Sequence, residues 1–137
     1  MFEAWYAREG TSGWPVKSWE TANALLSYLQ PVTRSFASFT ITGGSYVQCA
    51  GAKTRLTVEV RIVREDGSFT HLVFGKGPRQ QRVELIASSA GHVTVDASQV
   101  LRMRDARLII REFVENQRLH AGYQCEDVTS RFPKQHG

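Results

Sequence analysis

Residues 55–64 constrain the fold more than any other part of the chain, because every second side chain in this stretch is a large aliphatic one. One set holds Leu56, Val58, Val60 and Ile62, and the other holds Thr57, Glu59, Arg61 and Val63. Successive side chains of a strand point to opposite faces, so the pattern predicts a half-buried β-strand. The turn signal Asp66-Gly67 and the returning apolar run at 69–74 complete a predicted hairpin.

The remaining strands are predicted from short apolar or aromatic runs that turn residues separate. They lie at 2–7, 36–42, 46–50, 83–87, 92–95 and 123–128. The turn or loop segments are 9–13, Gly43-Gly44, the polar stretch 75–82 and 88–91. Strands this short, joined in sequence by short connections, favour an antiparallel meander.

Two helices are predicted. The first follows Ser18, whose hydroxyl is a suitable N-cap, and carries apolar residues at helical spacing until Pro31 stops it. The second runs from about residue 104 to 116, with apolar residues on one side and arginines on the other. The expected fold is therefore a single α+β domain over 1–137. A mostly antiparallel sheet of six or seven strands carries both helices on one face, and 130–137 form a frayed tail.

Composition places the chain among ordinary globular proteins, with 42% hydrophobic and 22% charged residues and a net charge of +4. The N-terminus lacks the basic and apolar regions of a secretory signal, and no apolar stretch approaches the length of a membrane span. We therefore expect a cytoplasmic protein that does not use a membrane. The basic charge indicates an acidic partner or a solvated surface with a few additional arginines.

Catalytic or metal-binding motifs do not emerge from the histidines and cysteines. The residues concerned are His71, His92, His120, His136, Cys49 and Cys125. Their spacing matches no zinc motif, and His71 is expected to be a surface-facing strand residue. A Cys125 nucleophile with His120 or His92 as base is conceivable, but no helix N-terminus precedes Cys125 to lower its pKa. The sequence thus predicts a binding protein without catalytic residues, cofactor or metal.

Charged residues near the C-terminus offer two further interpretations. Glu112 is expected to pair with a neighbouring arginine of the helix rather than to act as an acid or base. The residues Arg102, Arg104, Arg107 and Arg111 form a basic helix face. With nearby aromatic rings, such a face is an alternative basis for a small nucleic-acid-binding or regulatory module.

The C-terminal helix carries a resemblance to a known family. Asp105-Ala106, then Ile110-Arg111-Glu112-Phe113-Val114-Glu115-Asn116, then a loop and a short strand, resembles the ending of an immunity protein family (the Imm-one type) of bacterial polymorphic toxin systems. The N-terminal half is similar in outline, with an early Trp strand, Pro15-Val16 leading into Ser18, and Ala24-Leu25-Leu26 in a helix. In the last strand, members usually carry a tryptophan where this chain has 123–126.

The resemblance implies a cytoplasmic protein that binds and neutralises one cognate toxin domain, such as a deaminase or nuclease, in bacterial competition. Inhibitors of such toxins are often acidic. This basic chain therefore implies either an acidic toxin surface or binding away from the toxin's active cleft. The candidate partner-binding residues, taken from expected turns, are Trp14, Tyr46, Lys76, Arg79 and Arg82. Trp14 is the strongest of these candidates, since a large ring in a loop beside Gly13 and Pro15 either fills the core or contacts the partner.

Overall fold

The computed structural model describes residues 3–8, 11–29, 36–88 and 91–133. The strands within these ranges are β1 (Ala4–Arg8), β2 (Thr11–Val16), β3 (Phe36–Ile41), β4 (Tyr46–Ala52), β5 (Arg55–Val63), β6 (Phe69–Gly75), β7 (Arg82–Ser88), β8 (Gly91–Asp96) and β9 (Gln124–Asp127). The helices are α1 (Trp19–Leu26) and α2 (Met103–Asn116), and two 3₁₀ turns are η1 (Ala97–Gln99) and η2 (Thr129–Arg131).

Seven strands form one antiparallel sheet in the order β2-β1-β3-β4-β5-β6-β9. The strands β3 to β6 run as the predicted meander, while α1 joins β2 to β3 and β9 returns to pair with β6. The strands β7 and β8 pair separately as a hairpin, and β7 contacts β4 and β5. The predicted α+β class and antiparallel sheet are confirmed, and the second, two-stranded sheet was not foreseen.

Both helices cover one face of the large sheet, which we call the inner face. Its side chains include Tyr6, Phe39, Val47, Val58 and Phe74, all at most 2% exposed. They form one hydrophobic cluster with the apolar stripes of the helices: Ala22, Leu26, Ala106, Ile109, Ile110, Phe113 and Val114. Alternation along β5 and 3.6-residue spacing along α2 thus meet in a single core.

The helix α1 begins where the sequence predicts. The Ser18 Oγ accepts a hydrogen bond from the backbone N–H of Thr21 at 3.2 Å, so the expected N-cap is present. The helix ends at Leu26, before it reaches Leu29, the last residue of the predicted apolar face, although the Leu29 side chain is still buried. Pro31, the predicted stop, lies outside the described residues. Neither helix in the described ranges is long and apolar enough to cross a membrane.

The N-terminal edge of the sheet differs from the prediction. The segment 9–13 was expected to be a turn, but Thr11 and the residues that follow it form β2, which pairs with β1. Gly13 adopts a φ of +71°, which a residue with a side chain adopts only under strain, and Pro15 lacks an amide donor. Both are typical of an edge strand, and their presence concealed the strand from pattern analysis.

The C-terminal segment is ordered further than expected. The tail was predicted from residue 130, but Thr129–Arg131 form η2 and the Phe132 ring packs 5.8 Å from that of Phe69, between ring centroids. The backbone amide of His71 also donates to the Thr129 hydroxyl at 2.9 Å. Aromatic packing on β6 therefore holds this segment, and residues 134–137 lie outside the described ranges.

Candidate functional site

A groove of about 320 Å³ lies where the edge of the sheet meets the end of α1. Its lining residues, which we call the aromatic groove, are Tyr6, Arg8, Trp14, Leu25 and Tyr28. Half of the Trp14 surface and 56% of the Tyr28 surface are exposed, although both rings are large and apolar. Exposed rings around a concave surface are typical of a protein-contact site.

The strand pairing of β2 sets the position of Trp14. Trp14 lies opposite Tyr6 in the β1–β2 pair, and the two rings meet edge to face at 6.4 Å between centroids. Tyr6 is 2% exposed, so a core residue supports one side of the Trp14 ring. A ring that is fixed on one side and open on the other loses little conformational freedom when a partner covers it.

A polar cleft of about 320 Å³ lies at the opposite end of the sheet, around Glu126 of β9. The Glu126 carboxylate accepts a hydrogen bond from the Gln99 Nε2 at 2.8 Å and pairs with Arg79, and Arg131 lies 3.8 Å away. The hydrogen bond from Gln99, together with the Arg79 guanidinium, holds the pKa of Glu126 below its usual range. The carboxylate is therefore ionised and already engaged within the chain.

Cys125 lines the same cleft but is not activated there. Burial raises the pKa of its thiol, so the protonated form dominates at neutral pH. Histidine is absent from the described residues that line this cleft, and the side chain of His92 lies outside the described side chains. Cys49 is fully buried, and burial raises its pKa to about 12. Cys49 is thus a packed core side chain, and Cys125, although exposed, lacks the lowered pKa of a nucleophile.

His71 is not the surface residue that the alternation suggested, because it is 2% exposed. Its Nε2 lies 2.7 Å from Glu59 Oε1, and its Nδ1 accepts a hydrogen bond from Arg61 Nε at 3.1 Å. Since arginine can only donate, Nδ1 is the acceptor in this contact, and Nε2 faces the Glu59 carboxylate as the donor. The Phe132 ring, 4.6 Å from the imidazole between centroids, covers the centre.

The Arg61 guanidinium completes this buried centre. Its Cζ lies 3.9 Å from the Phe69 ring centroid and 4.4 Å from that of Phe132, which are cation–π distances. The observed hairpin register places Arg61 opposite His71, a pairing that the predicted turn did not specify. Closed by its own rings and hydrogen bonds, the centre stabilises the hairpin and the C-terminal segment. Groups of three or more possible metal ligands are likewise absent from the described part of the chain.

The predicted partner-binding residues do not converge on one surface. Trp14 lines the aromatic groove, whereas Tyr46 is half-buried on the opposite face of the sheet, 5.7 Å from the Arg61 Cζ. Lys76 and Arg79 are exposed but serve the fold, since Lys76 Nζ lies 3.2 Å from Asp105 Oδ1 and Arg79 pairs with Glu126. Arg82 is exposed at the start of β7. Tyr28 was not among the predicted contact residues. The sequence signal for it was its position just after a helix whose apolar residues recur at helical spacing.

One carboxylate pairing on α2 also differs from the expectation. Glu112 accepts a hydrogen bond from Asn116 Nδ2 at 2.8 Å, and no arginine among the described residues forms an ion pair with it. The helical ion pair is instead Arg111 with Glu115, at 2.6 Å and four residues apart.

No family model, no curated protein and no solved structure matches this chain. The function is therefore argued from the residues and geometry of the chain alone.

Proposed function

We propose that this protein is a bacterial immunity protein, which binds a cognate toxin domain in the cytoplasm and neutralises it by covering the toxin's substrate entrance. The resemblance of the α2 region and the predicted lack of catalytic residues support this function. The observation that carries it is the aromatic groove, where Trp14 and Tyr28 expose half or more of their surfaces beside a concave wall. Tryptophan, tyrosine and arginine dominate the energetic centres of protein interfaces.

The aromatic groove is continuous with further exposed surface on α1. A stable complex buries about 1,600 Å² in total, or roughly 800 Å² on each partner. The groove lies beside α1, whose outward-facing positions Glu20, Thr21 and Ala24 are exposed. The groove therefore forms a possible centre for the interface, and α1 and the edge strand β2 provide the surrounding area.

The direct test is protection of bacteria that express a toxin domain encoded beside this chain's gene. Wild-type protein is expected to restore growth and to bind the purified toxin domain in calorimetry. The change Trp14→Ala is expected to weaken binding by about 2 kcal/mol or more, which is about thirtyfold, and to reduce protection. Trp5→Ala is the matched control, because Trp5 is 36% exposed on the neighbouring strand but points to the opposite face.

Two results would contradict the proposal. Absence of both protection and binding with the neighbouring toxin would reject the function itself. Equal losses for Trp14→Ala and Trp5→Ala would instead reject the aromatic groove as the contact surface.

A nucleic-acid-binding module is the second candidate, because four arginines lie on or beside α2: Arg102, Arg104, Arg107 and Arg111. Contacts to phosphates release counterions, so the logarithm of such an affinity falls steeply with the logarithm of salt concentration. A steep dependence for an oligonucleotide, with no toxin binding, would favour this candidate.

A further inference from the structure

A second groove, of about 330 Å³, lies between α1 and α2 on the outside of the helix layer. Its lining residues, which we call the arginine groove, are Trp19, Asn23, Arg104, Arg107, Leu108 and Arg111. The two grooves flank α1, since Leu25 lines the aromatic groove while Trp19 and Asn23 line this one. A partner that covers the exposed side of α1 would therefore contact both.

Positive charge in the arginine groove is only partly compensated. The Arg111 Nε donates to Glu115, but Arg104 and Arg107 have no carboxylate within ion-pair distance among the described residues. Arg107 Nε is moreover buried and has no hydrogen-bond acceptor within the described part of the chain. A buried donor without an acceptor is costly, so the Arg107 guanidinium retains hydrogen-bonding capacity that the described residues do not use.

The groove also contains an unsatisfied acceptor. The Oδ1 of Asn23 is buried and has no donor among the described residues. A peptide group carries both a carbonyl oxygen and an N–H, the two kinds of hydrogen-bond partner that these side chains lack among the described residues. This chemistry favours a peptide segment over a ligand that only accepts hydrogen bonds.

The aromatic and apolar lining favours a protein segment over a nucleic acid. A base stacks on an open ring face, but the Arg111 Cζ already lies 5.5 Å from the Trp19 ring centroid. Leu108 is 52% exposed at this groove and has no use in binding phosphate. A segment with an apolar side chain between two carboxylates would pack the apolar side chain on Leu108 and pair the carboxylates with the arginines.

We infer that the arginine groove binds an acidic segment of the partner protein, with an apolar side chain between aspartates or glutamates. The inference rests on the proposed function only in requiring that the partner is a protein. The inference gives the basic charge of this chain a role. Of the two alternatives that this charge implies, it favours an acidic toxin surface over binding away from the toxin's active cleft.

A blocked octapeptide with an Asp-Leu-Asp core between glycines and serines provides the probe, and its Asn-Leu-Asn counterpart provides the neutral control. Nuclear magnetic resonance titration would follow the indole N–H of Trp19. We expect the acidic peptide to bind at least about tenfold more tightly than the neutral one, since charge-assisted bonds to arginine are the stronger class. The substitutions Arg104→Gln and Arg107→Gln are each expected to weaken it about tenfold.

Arg55→Gln is the matched control, because it removes the same charge from an exposed position outside the groove. An equal loss for Arg55→Gln would show general charge attraction and would overturn the inference. Tighter binding of an eight-nucleotide oligothymidylate at the same indole signal would also overturn it, in favour of nucleic acid. Failure of the peptide with toxin protection intact rejects this groove alone, whereas peptide binding without any toxin protection rejects the proposed function alone.

Discussion

The substitution Asp105→Ala, in the first turn of α2, should strongly destabilise the fold. Asp105 is 2% exposed, and its carboxylate accepts hydrogen bonds from the Tyr123 hydroxyl at 2.6 Å and from the Arg102 backbone amide at 3.0 Å. It also lies 3.2 Å from Lys76 Nζ. One side chain thereby joins α2 to the loop after β6 and to the segment before β9.

The magnitude follows from these contacts. Each hydrogen bond to a charged, buried group contributes about 1.5–3 kcal/mol. Lys76 is half exposed, so water screens its pair with Asp105 to below about 1 kcal/mol. We therefore expect a loss of about 3–5 kcal/mol from the free energy of unfolding, against the 5–15 kcal/mol typical of a domain. Tyr123→Phe, which removes one of these bonds, should cost about 1.5 kcal/mol.

The assay is urea unfolding at neutral pH and at a series of lower pH values. Burial alone would raise the pKa of Asp105, but the hydrogen bonds from Tyr123 and Arg102 and the nearby Lys76 outweigh it and hold the pKa below its usual range. A depressed folded pKa stabilises the fold above the unfolded value, and that stability is lost as pH falls through the folded pKa. The difference in stability between wild type and Asp105→Asn should therefore shrink below about pH 4.

Two results would refute this reasoning. A loss below about 1 kcal/mol for Asp105→Ala would show that the carboxylate is not a structural clamp. A difference from Asp105→Asn that grows as the pH falls would contradict the sign of the pKa shift.

Three further predictions concern the glycines, the thiols and the C-terminal segment. Gly51→Ala should cost several times more in thermal unfolding than Gly67→Ala, because both have positive φ but only at Gly51 would a Cβ lie 2.5 Å from a main-chain oxygen; equal losses would contradict this. In native protein a thiol reagent at pH 7.5 should modify only Cys125, and slowly, whereas Cys49 should react after unfolding; rapid modification of both would show that the core is open. Phe132→Ala should reduce the free energy of unfolding by about 1–3 kcal/mol and speed hydrogen exchange at the β6 amides. Unchanged exchange would show that the ring does not protect β6.

Local features of the fold were available from the sequence because they depend on neighbouring residues. Ser18 caps α1, and the alternation of residues 55–64 becomes β5, with the Asp66-Gly67 turn leading into β6. The strand β2 was missed because Gly13 and Pro15 are disfavoured in strands, and only the pairing with β1 stabilises one there.

The candidate sites were less accessible than the fold. Trp14 was selected from its flanking glycine and proline, but its partner Tyr28 lies across the aromatic groove from a different element. Lys76 and Arg79 were selected as exposed loop residues, whereas the fold engages them with Asp105 and Glu126. Pattern analysis detects exposure, but it does not detect the distant carboxylate that an exposed cation meets.

Periodicity and turn chemistry act within a few residues, so the α+β class, the antiparallel hairpins and the apolar stripes of the two helices could be predicted before the fold was known. The burial of particular polar side chains and the formation of the grooves depend instead on contacts between distant parts of the chain. His71 became a buried ring because Phe132, some sixty positions later in the sequence, packs over it. The two grooves exist because α1 lies between the edge strand and α2, and that juxtaposition results from packing both helices on one face of the sheet.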